Sequence, residues 1–213
     1  MLSKSSKSST TQSLQQSGNP KSTVAPTPKG DNKQKALAVK KSQEEALARL
    51  PLNMLYIALY IRSDPPNAND FHWGYYLHRQ PTGGTKYHIK NLGAGWITDH
   101  GPTGGVFKSN FLCVLVQIAN VPQARHVQLD QIMRMHDNQV NSIPNVTCRV
   151  WVLTILQELI LTILQELIQH GIVRCSNILA LQQECLEIGN QHRAAAAQNN
   201  QPRPVVCSSV CLF

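Results

Sequence analysis

Two eight-residue runs made almost wholly of apolar residues constrain this chain most: Met54–Ile61 (MLYIALYI) and Phe111–Ile118 (FLCVLVQI), the second broken by Gln117 alone. Neither alternates with polar residues, so each reads as a strand buried on both faces of a sheet. The first ends at Ser63-Asp64-Pro65-Pro66-Asn67, a cluster of breakers. Further strands are predicted at Phe71–His78, at Thr85–Lys90 after a Pro81-Thr82-Gly83-Gly84 loop, and at Leu92–Asp99. The spacing changes after Pro122. Val127, Leu129, Ile132, Met133 and Met135 suit a short helix, a longer one starts at Cys148 with Gly171 as its stop, and another runs from a Ser176 cap to Ile188 and Gly189. The expected fold is α+β, a small antiparallel sheet packed against the long helix.

Three regions follow from composition. Residues 1–50 read as a disordered basic tail, poor in large apolar residues until helix formers across 32–50 allow a short helix. Residues 52–190 read as one domain, and 191–213 as a flexible C-terminal tail. The formal net charge is +8, but residues 1–50 hold nine Lys/Arg against three Asp/Glu, so the tail alone carries +6. The folded part is close to neutral, which argues against a nucleic-acid partner. No secretory signal pattern opens the chain, so an intracellular, cytoplasmic location is expected, with most of the six cysteines as free thiols. The longest apolar stretch, 151–168, is broken by Gln157, Glu158, Gln165 and Glu166, so no transmembrane segment is expected. The absence of a CxxC pair argues against a zinc site, and Gly83-Gly84 and Gly104-Gly105 read as turns rather than phosphate cradles; no metal or cofactor is expected. Cys211 lies third from the end, one place short of a prenylation motif.

Leu153–Ile160 reads LTILQELI, and Leu161–Ile168 repeats it letter for letter. Eight extra helical residues add about 12 Å and turn everything downstream by roughly 80°. The chain must extend the helix past the core or loop the copy out.

Candidate chemistry gathers where Phe71-His72-Trp73 starts one strand, Tyr87-His88-Ile89-Lys90-Asn91 ends the next, and Thr147-Cys148 opens a helix. A cysteine at a helix N-terminus feels the positive end of the helix dipole, which favours the thiolate. A strand imidazole can take its proton, and a third polar group can orient that imidazole. The roles are Cys148 as nucleophile, His72 as general base, and His88 or Asn91 as orienter. Trp73 flanks the base, but Trp73, Trp96 and Trp151 read as core before they read as a substrate platform. In the alternative, Cys148 is a small buried helix residue and His72 a strand residue bonded to backbone.

The ordered motifs LYIALY, FHWGYYLH, GGTKYHIKN, a following Trp and TCRVWV resemble a fungal family of small proteins of unknown function, whose pattern is HWALL, YHxKN, Trp and NCRxWV. The resemblance spans Leu52 to Glu187 and departs at Thr147, where that family has Asn, and at the duplication. More distantly, a His-Trp strand, a second strand His and a helix-opening Cys are similar to the lecithin:retinol acyltransferase and bacterial cell-wall peptidase group of permuted papain-like folds. That similarity implies a base at His72, an orienter at His88 and an acyl-enzyme at Cys148. Two functions stand open: a cysteine hydrolase or acyltransferase on a small-molecule, lipid or protein substrate, and a non-catalytic interaction or scaffold protein.

Overall fold

The computed structural model describes residues 29–164, 174–175 and 177–212. The sequence readings for residues 1–28, for Gly171 and Ser176, and for the second half of the repeat's second copy lie outside these residues.

The apolar runs become the centre of a six-stranded sheet. Helix α1 (Lys29–Ala48) leads into β1 (Met54–Ile61), which pairs antiparallel with β2 (Phe71–Gln80) on one side. Beyond β2 come β3 (Gly83–Tyr87) and β6 (Gly101–Thr103), while on the other side of β1 lie β7 (Leu112–Asn120) and β9 (Val205–Cys207). All pairings in this sheet are antiparallel except β7 with β9, which is parallel. Between β3 and β6 a small hairpin, β4 (Ile89–Asn91) and β5 (Trp96–Thr98), stands off the main sheet.

Two layers cover the sheet, which is why β1 is apolar throughout and β7 nearly so, with Gln117 its one buried polar residue. Leu55, Ile57, Leu59, Phe71, Trp73, Tyr75 and Leu77 face the helices α2 (His126–Met133), α3 (Cys148–Leu159) and α4 (Ile178–Ala197). Met54, Tyr56, Ala58 and Tyr76 face the opposite way, onto Leu47 and Leu50 at the end of α1 and the turn carrying Val106 and Phe107. The strand period of two divides each strand between these layers.

Several expectations change in detail. Gly189 does not end α4. A Cβ there would lie 2.8 Å from the Phe71 ring, so the glycine permits close helix–sheet packing inside a helix that runs on to Ala197. The α4 cap is Asn177, whose Oδ1 accepts from the Ala180 N–H. The stretch read as a flexible tail continues α4, adds β9 to the sheet and pairs β10 (Cys211–Leu212) with β8 (Arg174–Cys175). Buried Arg203 fixes that return by donating to Ala195 O, Asn200 O, Asn110 O and Asn199 Oδ1. Cys113, Cys148, Cys185 and Cys207 are free thiols, whereas Cys211 is disulfide-bonded and sits in register with Cys175. Among the described residues no helix is long and apolar enough to cross a membrane.

Candidate functional site

His72 is the second residue of β2, and its side chain leaves the sheet on the face away from α3. His88 follows β3 and reaches the same face because Gly74 stands between them. A Cβ on Gly74 would lie 2.9 Å from His88 Cβ and 3.0 Å from Tyr87 O, so only a bare backbone lets the second imidazole lie against the first. The rings meet edge to face, with His72 Nε2 2.8 Å from His88 Nδ1. His88 Nε2 lies 3.1 Å from Asp99 Oδ2, which also takes Lys90 Nζ at 3.2 Å.

The carboxylate fixes the direction of this chain. It can only accept, so His88 carries its proton on Nε2, its Nδ1 accepts from His72 Nε2–H, and His72 Nδ1 is left with a free lone pair. His72 Nδ1 has no hydrogen-bond partner among the described residues. Burial, with Arg62 and Lys86 nearby, lowers the His72 pKa from 6.5 to about 4. Burial, Lys86 and His72 lower His88 to about 4 against the opposing pull of Asp99. The His88–Asp99 contact is therefore a hydrogen bond from a neutral imidazole rather than an ion pair at neutral pH. Burial alone would raise the Asp99 carboxyl, but its bonds to Lys90 and His88 outweigh that and hold it below its ordinary value.

A second layer holds this chain in place. The His88 N–H donates to His100 Nδ1 at 3.1 Å, and His100 Nε2 donates to Asp137 Oδ1 at 3.2 Å. The Asp99 N–H in turn donates to His88 O at 2.9 Å. The pair opens on a cleft of about 260 Å³ lined by Tyr60, Ile61, Lys86, Ser109 and Phe111. A larger cleft of about 490 Å³ lies at the other end of β2, around Arg79, Thr85, Gln123 and His126, and contains no comparable chain of side chains.

The structure brings His72 and His88 together and does not bring Cys148 to them. Cys148 opens α3, whose first turn is capped by Thr147 Oγ1 accepting from Val150 N–H at 3.1 Å. Cys148 is only 5% exposed, and its thiol points at Phe71 O, 3.9 Å away. Because α3 packs on the face carrying Phe71 and Trp73, the backbone of β2 separates the sulfur from the His72 ring. Cys148 borders a different cleft of about 150 Å³, with Arg62, Asp70 and Arg149. Asn91 does not orient an imidazole, since its Oδ1 accepts from Gly93 N–H in a turn. Trp73 is core, 1% exposed. Sequence reasoning missed Asp99, Lys86, Tyr60, Ser109 and Phe111. Asp99 could have been found from the short hairpin of β4 and β5, which returns it beside His88.

A family model described as a family of unknown function (DUF6914) matches residues 53–170, from the start of β1 past the end of α3. No curated protein matches, and no solved structure does.

Proposed function

The chain belongs to DUF6914, a family of unknown function, and from that premise we propose that it is a hydrolase in which His72 activates water against a small ester, amide or thioester. The observation that carries this reading is the chain from Asp99 through His88 to His72, ending in an unengaged imidazole nitrogen in a cleft. His72 Nδ1 takes a proton from water as the water oxygen bonds to the acyl carbon. The imidazolium then returns that proton to the leaving oxygen, nitrogen or sulfur as its bond to carbon breaks. Positive charge on His72 is stabilised through His88 by the Asp99 carboxylate, the orienting logic of a catalytic triad built on two imidazoles.

An acyl-Cys148 route, as in the permuted papain-like reading, requires the sulfur to reach the His72 ring past the backbone of β2. Water as nucleophile requires no such movement. The deciding experiment measures hydrolysis of 4-nitrophenyl esters and thioesters of graded acyl length by the wild type and by His72→Ala, His88→Ala and Cys148→Ser. The expected result is a loss of about 100-fold or more in the His72 variant, with Cys148→Ser close to wild type. Loss in Cys148→Ser, with an acyl adduct on Cys148 in the wild type by mass spectrometry, would move the reading to a thiol hydrolase or acyltransferase. No turnover of any substrate would leave the non-catalytic interaction protein.

A further inference from the structure

The cleft beside the imidazoles is rich in uncommitted hydrogen-bond donors. Lys86 projects from β3 on the same face as His88, is only partly exposed, and has no ion-pair or hydrogen-bond partner among the described residues. The Tyr60 and Ser109 hydroxyls line the same space and likewise lack a hydrogen-bond partner among the described residues. Burial pushes the Tyr60 phenol well above its ordinary pKa, so it stays a donor at any physiological pH. The lining includes no carboxylate; Asp99 is engaged behind His88 by Lys90. One half-buried cation and two hydroxyl donors without acceptors form a place for an anion. The same lining carries the ring of Phe111, which is 65% exposed.

We infer that this cleft binds a small organic anion, with a carboxylate or phosphate group held by Lys86, Ser109 and Tyr60 and an apolar group laid against Phe111. The inference rests on the proposed hydrolase only for what happens to the ligand afterwards. An anion there also meets the two imidazoles, so its binding favours their protonated forms. The charged groups facing them are Arg62 (paired with Asp70), Lys86, and Asp99 with its partner Lys90.

The test follows the histidine ring resonances of the full chain by NMR over a pH range, with benzoate, phenyl phosphate, inorganic phosphate or benzyl alcohol added. Benzoate or phenyl phosphate should bind saturably and raise the apparent pKa of His72 and His88 by about one unit. Lys86→Met should weaken that binding by about tenfold, while Lys40→Met, an exposed position on α1 outside the cleft lining, leaves it unchanged. The preference between benzoate and phenyl phosphate identifies the anionic group. Benzyl alcohol binding as tightly as benzoate, unchanged affinity in Lys86→Met, or no response to any probe would overturn the anion site. Inorganic phosphate matching phenyl phosphate would overturn its apolar half. Benzoate has no scissile bond to be hydrolysed, so saturable binding without turnover of any ester would sink the hydrolase and leave the anion site standing.

Discussion

Gly74 decides whether the two imidazoles can touch. Its missing Cβ is the space that His88 crosses to reach His72, and Gly74→Ala places a methyl 2.9 Å from His88 Cβ. That overpacking should cost about 1–3 kcal/mol, read by urea unfolding, and should break the His72–His88 bond, read as both rings titrating nearer to 6.5. The same pair gives stability a pH dependence of known sign. Both rings titrate at about 4 in the folded protein against 6.5 ordinarily, so between these values the unfolded chain binds more protons. Stability should hold above about pH 6.5 and fall as pH drops from there towards 4. Burial lowers His78, His100 and His126 as well, so replacing both His72 and His88 by Gln should reduce the slope without abolishing it. Urea midpoints at pH 7, 6 and 5 would show this. A slope identical in the double variant would mean that the pair is not neutral when folded.

At the scale of elements, what the chain declares depends on whether a residue's partners are near in sequence. β1 and β7 were legible because burial on both faces leaves runs of apolar residues, broken in β7 by Gln117, and α3 because a long apolar stretch follows Cys148. The site was half legible. His72 on β2 and His88 just after β3 come into contact as the nearness of their segments suggested, but strand period separates Cys148 from them. An apolar helix must cover the face carrying Phe71 and Trp73, and His72 necessarily points away from it. Gly189 looked like a helix stop because its reason for being glycine, the ring of Phe71, lies 118 residues earlier. The strand β9 was illegible for a similar reason: three residues carry no periodicity, and what holds them is Arg203 reaching carbonyls on α4 and at Asn110. Arg203→Met should therefore cost about 3 kcal/mol by leaving buried acceptors unmatched, and amide exchange should show β9 losing protection before β1. Uniform loss across the sheet would instead make this return part of the global unfolding unit.

For the whole molecule, the duplicated octapeptide asks whether the protein needs both copies. The first copy supplies α3 with buried Ile155, Leu156 and Leu159. At Ile160, the last residue of that copy, the helix changes from α to π geometry through Leu164, and Leu161, which opens the second copy, is 59% exposed although its counterpart Leu153 is partly covered. A π segment widens the helix and shifts its face where an insertion must be absorbed. Deleting residues 161–168 yields the same sequence as deleting 153–160, so the shortened chain can place its single copy in the register that α3 already uses behind Cys148 and under β2. The cleft around His72 lies on the other face of the sheet and has no lining residue from either copy. The single-copy protein should melt within about 3 °C of the parent, a difference of roughly 1 kcal/mol at this size, and should bind benzoate with unchanged affinity. A fall of several times that in melting temperature would show that the second copy packs against the domain and that the repeat is part of the fold rather than an addition to it.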